Sequence, residues 1–320
     1  MWSRWRRLCD VMVSARLQER GRRKMSKRRV SSTPSTSSRT RPRSRGQRLS
    51  LERFLGVSLL GGKNDRTTLA VLEYYPEHRK LFLSQLHEKI KSENDISADQ
   101  TLIDQIQSFQ PGVKMLALDV PLDLPKCLRC KLKCPGFEKC KEPEIQWMWK
   151  AYRERKDRQK QTRLFTPYTQ RCVEMYLANE LEEPFHLQEA LGANAAPLTA
   201  RSLFLQKRMN FPLVEVFPAL SLWRLGHSLG LAKKYLQAQG RSLRLHETRE
   251  IFLNALIEKR VVFIYQQDVQ RLCENRDAFN AFLAALTAYL HSRGQCEPRP
   301  RGFPEGETWV RFPVEEPKWF

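Results

Sequence analysis

The sequence lacks any run of about 18 consecutive apolar residues, the least that a helix needs to cross a bilayer. It also lacks the hydrophobic region of a secretory signal peptide, and no internal repeat with a period of about 20 to 50 residues is visible. These absences argue against a helical membrane protein, a secreted protein and a repeat protein. A soluble cytoplasmic protein without a membrane partner is therefore expected.

Acidic residues are scarce relative to basic ones. The chain has 35 Asp and Glu against 56 Lys and Arg, which gives a formal net charge of +21. A charge of this sign and size favours a polyanionic partner, and nucleic acid is the natural candidate. The 6 histidines show no metal-ligand spacing, so no role is assigned to them.

The first fifty residues hold only two acids, Asp10 and Glu19, against 16 Lys and Arg. Because this stretch is also Ser-rich and poor in apolar patterns, residues 1–50 are predicted to be a disordered basic tail. Three interpretations of the tail remain open. It is a nucleic-acid-binding arm, an organellar transit peptide, or a stretch upstream of the true translation start, with Met25 or a later point as the beginning.

The globular pattern begins near Phe54. Three segments rich in strand formers, 54–60, 67–75 and 80–86, predict an antiparallel meander. Apolar residues at helical spacing between Leu102 and Phe109 then predict a helix, which precedes an apolar strand that ends at Asp119. Three strands, a helix and a fourth strand indicate an α/β fold.

The second half of the chain predicts another strand and several helices. Residues 213–217 form an apolar strand that stops at Pro218, and helices are predicted at 220–225, 246–260 and 277–290. The last of these helices is apolar nearly all round, so we expect it to be buried against the sheet. Residues 308–312 predict a late edge strand.

Three acids interrupt apolar elements: Asp119, Glu215 and Asp277. Acids that meet at one edge of a sheet suit phosphoryl chemistry, because Mg²⁺ or Mn²⁺ prefers hard oxygen ligands and can activate a water molecule. Structural alternatives stay open for each residue. Asp277 could be a helix N-cap, Asp119 could accept hydrogen bonds from a turn, and Glu215 could pair with an arginine.

Four cysteines follow the Asp119 strand within fourteen residues. Cys127, Cys130, Cys134 and Cys140 have the spacing C-x2-C-x3-C-x5-C, which is suited to a tetrahedral Zn²⁺ site. An iron–sulfur cluster is the rival, and it would make the chain a redox-sensing protein. Disulfides are disfavoured because the expected compartment is reducing. The other cysteines are scattered and indicate ordinary thiols.

Pro143 is well placed to begin a helix that runs to about Arg163. This stretch carries Trp147, Trp149 and Tyr152, followed by a row of Lys and Arg residues. Aromatic rings beside cations are how proteins hold single strands or flipped bases. A solvated helix whose aromatic rings pack in the core explains the same pattern.

The order of motifs resembles a known family. The motifs are Leu-Asp-Val-Pro-Leu-Asp-Leu-Pro (118–125), Val-Glu-Val-Phe-Pro-Ala (214–219), Asp-Ala-x-x-Ala-x-x-Ala-Ala-Leu-Thr-Ala-Tyr (277–289) and Gly-Glu-Thr-Trp-Val (306–310). Together they are similar to domain of unknown function 429, a family of predicted ribonuclease H-fold nucleases. The resemblance covers about residues 54–312.

The resemblance implies a single ribonuclease H-like domain at 51–316. Its mixed sheet would be flanked by helices, with a cysteine-rich metal loop inserted at 126–142 and a helical insertion at 143–210. It also implies that acids gather around divalent metal, as in the related Holliday-junction resolvases.

Carried over to this sequence, the acids of the family match Asp119, Glu215 and Asp277. Two positions depart from the pattern, because Ser58 and Asn280 stand where the family has aspartates. Both side chains can touch a cation but bring no negative charge, so affinity for two Mg²⁺ ions should fall. The sequence thus predicts a metal-dependent nuclease acting on DNA or RNA. The alternative is a catalytically degenerate nucleic-acid-binding protein with a structural metal site.

Overall fold

The computed structural model describes residues 51–61, 67–154, 164–179, 181, 189–192, 194–236 and 242–319, without the side chains of 242–244. The predicted basic tail, 1–50, lies outside these residues, as does most of the basic row at 155–163. All described residues belong to one unit, Arg48–Phe320. Within them, no helix is long and apolar enough to span a membrane.

A mixed five-stranded sheet forms the centre of this unit. Its strands are β1 (Glu52–Ser58), β2 (Thr67–Tyr75), β3 (Lys80–Ile90), β4 (Val113–Leu118) and β5 (Leu213–Glu215), in the order β3-β2-β1-β4-β5. The first three strands pair antiparallel, which confirms the predicted meander, and β4 and β5 join in parallel. The carboxyl ends of β1, β4 and β5 therefore lie at one edge of the sheet.

Helices cover the sheet and fill the connections. They are α1 (Ala98–Ser108), α2 (Lys126–Arg129), α3 (Pro143–Arg153), α4 (Cys172–Asn179), α5 (Ala196–Gln206), α6 (Pro218–Ser228), α7 (Lys233–Leu236), α8 (Ser242–Glu258), α9 (Gln266–Glu274) and α10 (Arg276–Ser292). The helices predicted near 102–109, 220–225, 246–260 and 277–290 are confirmed. The α/β class is confirmed as well.

Alternation along the strands gives the sheet two apolar faces. Phe54 and Leu72 point to one face, where α8, α9 and α10 build a large core, and Leu55 and Val71 point to the other, under α1 and α5. A residue period of two sends neighbouring side chains to opposite faces, so a strand buried on both sides reads as a continuous apolar run. A third apolar cluster joins α3, α4 and α6 to residues 303–312.

Helix α10 lies directly on β1 at Gly56. A Cβ atom at this position would collide with the backbone of Ala281 and Ala285. Only glycine permits such a close approach of helix to strand, and the alanines of α10 complete it. The approach fixes the first turn of α10, which carries Asp277, against the end of β1. The prediction that this helix is buried on the sheet is confirmed.

Two predicted elements differ from the structure. Helix α3 begins at Pro143 as expected but ends at Arg153, with Glu154 as its C-cap, and the rest of the predicted helix lies outside the described residues. The edge strand predicted at 308–312 is wrong. These residues make an isolated bridge between Arg311 and Val216, because Pro313 follows at once and pairs instead with Cys296.

Candidate active site at the sheet edge

Ser58 and Asp119 meet where β1 and β4 end. Val57 is in register with Leu118, and the amide of Asp119 donates to the carbonyl oxygen of Val57 at 3.2 Å. The parallel pairing therefore continues one residue past the strands. It delivers both polar side chains to the same edge of the sheet.

The carboxylate of Asp119 is held by two donors. Ser58 Oγ donates to Oδ2 at 2.6 Å, and the amide of Leu59 donates to Oδ1 at 2.8 Å. Burial raises the pKa of Asp119 to about 6, although both hydrogen bonds act to lower it. Asp119 is thus a half-buried acid that is held in one orientation and costly to ionise.

Asp277 joins this pair from the first turn of α10. It lies close enough to Asp119 for its negative charge to raise the pKa of Asp119 further. The helix cap is Asn275, whose Oδ1 accepts hydrogen bonds from the amides of Asp277 and Ala278 at 2.9 and 3.3 Å. Asp277 is therefore not the N-cap. Asn280 follows half-buried in the same helix, almost one turn later.

Glu215 is engaged elsewhere. Its Oε1 accepts from Arg171 Nη2 at 2.7 Å, and its Oε2 accepts from Arg171 Nη1 and from the amide of Leu122, both at 2.8 Å. Arg171 is fully buried and also binds Glu174 through Nε at 2.9 Å. The structural alternative for Glu215, pairing with an arginine, is therefore what is observed. The buried guanidinium of Arg171 neutralises the charge of Glu215, and Oε2 already accepts two hydrogen bonds, so Glu215 is poorly suited to bind a metal ion.

The sheet edge thus brings together two of the three predicted acids. We call Asp119 and Asp277 the edge pair. Ser58 lies beside them. Among the described residues, no group of three or more His, Cys, Asp or Glu side chains is arranged to hold a metal ion. Two carboxylates still fit a single Mg²⁺ or Mn²⁺, because Mg²⁺ commonly keeps several waters and takes one or two carboxylates plus substrate phosphates. Glu215 does not fit that set.

A cleft of about 340 Å³ lies beside β5 on the same side of the molecule. We call it the β5 cleft. Its lining comprises Asp123, residues 213–215, Arg299, residues 305–309 and Arg311. The buried Glu307 forms its back wall and accepts hydrogen bonds from the amides of Cys172 and Val173 at 2.9 and 2.8 Å, which caps α4.

Comparison with known proteins identifies the family. A family profile described as "Protein of unknown function (DUF429)" matches residues 64–305, about three quarters of the chain. The chain belongs to the DUF429 family. No curated protein and no solved structure matches it significantly.

The DUF429 motifs that suggested the resemblance come together in space. The 118–125 motif supplies Asp119 to the edge pair and Asp123 to the β5 cleft, and the 306–310 motif supplies the other cleft wall. A Cβ atom at Gly306 would lie 2.6 Å from Glu144 Oε1, so a larger residue there would displace the Glu144 side chain. Arg129 also donates to the carbonyl oxygen of Gly306 at 2.9 Å.

The four cysteines of the 126–142 loop are free thiols. Cys127 lies in α2 and Cys130 caps it, whereas Cys134 is exposed. Burial raises the pKa of Cys127, and the charges of Cys140, Cys134 and Cys130 raise it further, so the four sulfurs are neighbours. They are not arranged as a ligand set in the described part of the chain.

The aromatic residues of α3 are partly buried and pack against the third apolar cluster. Trp149 stacks on Phe137 at 6.0 Å and meets Phe165 edge-on at 4.9 Å, and Trp147 meets Phe303 at 5.3 Å. The structure therefore favours the core interpretation of these rings over base stacking. Phe137 belongs to the cysteine loop, so the rings also anchor that loop to α3.

Sequence reasoning missed Arg171, Glu174 and Glu307, which are buried with Glu215. Arg171 and Glu174 are spaced i,i+3, with the arginine just before α4. This spacing is common on solvated helices, so it carried no signal by itself. Glu307 lies within the 306–310 motif that was noticed, but its capping role depends on contact with α4, over 130 residues away in the chain.

We predict that Asp119→Asn stabilises this DUF429 protein at neutral pH. The native pKa of about 6 exceeds the unfolded value, so the stability contributed by this group is greatest below about pH 4 and is lost as the pH rises through 6. The variant should therefore gain about 1–3 kcal/mol in free energy of unfolding at pH 7.5 and almost nothing at pH 4. Urea unfolding at both pH values measures this. The exposed Asp95→Asn is the control, and an equal gain at both pH values would contradict the prediction.

Proposed function

We propose that the chain is a divalent-metal-dependent nuclease that hydrolyses phosphodiester bonds of DNA or RNA. The observation that carries the proposal is the pairing of Asp119 with Asp277 at the sheet edge, beside Ser58. Burial and the charge of Asp277 both make Asp119 costly to ionise. A perturbed acid beside a second carboxylate is typical of a functional site, and cation binding is the simplest role for such a pair.

The fold supports the ribonuclease H-like part of the proposal. An antiparallel meander extended by two parallel strands, with acids at the ends of the central strands, is the arrangement that the resemblance implies. Helix α10 adds the third element of such a site by placing Asp277 over the end of β1. This remains an analogy of fold, and the function is argued from the site.

In this proposal Asp119 and Asp277 would hold one Mg²⁺ or Mn²⁺, with Ser58 hydrogen-bonded to Asp119 and Asn280 almost one turn after Asp277 on α10. When bound, the ion lowers the pKa of an attacking water and stabilises the departing oxyanion. The chain itself supplies orientation. Ser58 and the Leu59 amide fix the Asp119 carboxylate, Asn275 fixes the first turn of α10, and Glu215 stabilises the neighbouring loop through Leu122.

The test begins with the purified chain and labelled single-stranded, double-stranded and branched DNA and RNA. Cleavage should require Mg²⁺ or Mn²⁺ and stop with EDTA. Ser58→Asp should raise the cleavage rate or the metal affinity, because it restores an acid next to Asp119. Metal-independent cleavage would refute the mechanism.

A catalytically degenerate nucleic-acid-binding protein is the second candidate. The observation that favours it is the Arg171–Glu215 ion pair, which removes one acid from the centre while Ser58 and Asn280 leave two others absent. If the protein binds DNA or RNA but cleaves neither, and Ser58→Asp with Asn280→Asp restores nothing, this second function is correct.

We further propose that the 126–142 loop binds Zn²⁺ through Cys127, Cys130, Cys134 and Cys140, with an iron–sulfur cluster as the rival. The support is their spacing and their mutual proximity. Such free thiols also fit the expected cytoplasmic location.

Purified protein should contain about one zinc per chain, and Cys130→Ser should lose it, because a structural zinc site needs all four ligands. Elemental analysis measures the metal. Cys296→Ser, a buried cysteine outside the loop, is the matched control and should keep the zinc. Unchanged zinc content in Cys130→Ser contradicts the proposal, and a brown protein that contains iron supports the cluster.

A further inference from the structure

Arg311 is a cation that lacks a partner among the described residues. Its backbone amide donates to the carbonyl oxygen of Glu215 at 2.7 Å, but its guanidinium makes no ion pair or hydrogen bond within that part of the chain. Arg311 is one of the residues that line the β5 cleft, and its side chain is only half-exposed. Its guanidinium carries five donors that can bind an anion.

Four carboxylates line the cleft; three of them are engaged with other partners, and the fourth, Glu305, is exposed and forms no ion pair with Arg311. Asp123 pairs with Arg129 at 3.2 Å, Glu215 pairs with Arg171, and Glu307 caps α4. None of these carboxylates neutralises Arg311. An anionic ligand would therefore supply the ion-pair partner that Arg311 lacks among the described residues.

Arg299 is the second arginine that lines the cleft. Its guanidinium donates to the carbonyl oxygens of Pro304, Glu305 and Glu307 at 3.0, 2.8 and 2.6 Å, which fixes the loop in front of the cleft. Burial lowers the pKa of Arg311, the Cys296 thiol partly offsets this, and the charge of Arg299 lowers it again. The two arginines repel each other, and an anion bound near both would reduce this repulsion.

The cleft lies at a defined distance from the edge pair. Arg311 bridges to β5, and β5 pairs with β4, whose end carries Asp119. Two strand spacings separate them, which is about 10 Å.

We propose that the β5 cleft binds a backbone phosphate of the nucleic acid through Arg311, close to the phosphate at the edge pair. A guanidinium fork matches the oxygens of phosphate and can bind two of them. The inference rests on the proposed function, because it assumes that nucleic acid lies along this sheet edge.

The test is the salt dependence of binding to a labelled oligonucleotide, measured without divalent metal so that cleavage does not interfere. Arg311→Gln should bind roughly tenfold more weakly. The slope of log affinity against log salt should also fall by about 0.7 for a single strand or about 0.9 for a duplex, the loss of one phosphate contact. Arg301→Gln removes an exposed arginine outside the cleft and is the matched control, for which the slope should stay closer to that of wild type.

A second measurement uses the wild-type protein and does not depend on how a variant folds. Uncharged methylphosphonate linkages are placed one at a time along the oligonucleotide. One position should weaken binding to wild type and have no further effect on Arg311→Gln. If no position behaves in this way, the inference is wrong.

The outcomes separate the two proposals. Wild-type binding with an unchanged slope in Arg311→Gln overturns the cleft assignment and leaves the proposed function standing. An absence of nucleic-acid binding by wild type overturns both. Titration with inorganic phosphate at constant ionic strength completes the test. Arg311-dependent binding of phosphate without oligonucleotide binding would assign the cleft to a small phosphorylated ligand and overturn the inference as stated.

Discussion

Arg171→Met should lower the free energy of unfolding by about 3–5 kcal/mol at neutral pH, as expected when one partner of a buried ion pair is removed. The fully buried guanidinium binds Glu174 and Glu215 at once. Without it, two carboxylates that are each 2% exposed face each other with no cation between them. Denaturant unfolding measures the loss.

The loss of stability should arise from the two buried carboxylates that remain without a cation, and not from the loss of the arginine itself. Arg171→Met combined with Glu174→Gln and Glu215→Gln should therefore recover most of the stability, because neutral amides can still accept the hydrogen bonds from Leu122 and Ala190. Lys114→Met, which breaks an exposed contact of 3.9 Å to Glu52, is the control and should change stability by less than about 1 kcal/mol. A loss this small for Arg171→Met would show that the buried network is not structural.

Asp119→Asn and Asp277→Asn should each lower nuclease activity at least about 100-fold, more than the loss expected from changing groups that only support metal ligands. The edge pair is the only predicted acid cluster that the described residues bring together, and Ser58 and Asn280 provide no spare charge. Rates of cleavage under single-turnover conditions, at saturating protein, measure the effect on the chemical step.

Nucleic-acid binding should survive both substitutions, since it depends on phosphate contacts made elsewhere. Asp104→Asn is the matched control, because Asp104 is exposed on α1 and belongs neither to the edge pair nor to the β5 cleft. It should retain most of the cleavage. Activity that persists in both Asp119→Asn and Asp277→Asn would exclude the edge pair as the catalytic centre.

Much of the sheet could be predicted because its residues carry local signals. The strands of the meander are long and rich in strand formers, and Pro111, Pro143 and Pro218 mark boundaries that the structure respects. Asp119 stood out since an acid at the end of an apolar strand is costly, and the structure places it beside Ser58. The burial of α10 followed from apolar residues on all its sides.

The partner of Glu215 could not be predicted, because Arg171 is 44 residues away and the pair depends on the packing of α4 against β5. The residue that caps α10 could not be predicted either, because Asn275 and Asp277 lie only two positions apart and both residue types are common N-caps. In the structure Asn275 is the cap. The rings of α3 were ambiguous for a different reason. A tryptophan on an amphipathic helix has the same pattern whether it packs inward on Phe165 or stacks on a base.

The missing side chain at Gly56 bears on which ion the proposed centre would accept. Helix α10 touches the backbone of β1 there, so the helix cannot slide relative to that strand, and the spacing between the backbones that carry the two aspartates is fixed. A fixed spacing between the two aspartates suits Mg²⁺, a small ion that requires regular octahedral geometry, and disfavours Ca²⁺, which is larger and more adaptable. Discrimination between the two ions would then originate beneath the site, in a residue that has no side chain with which to touch either of them.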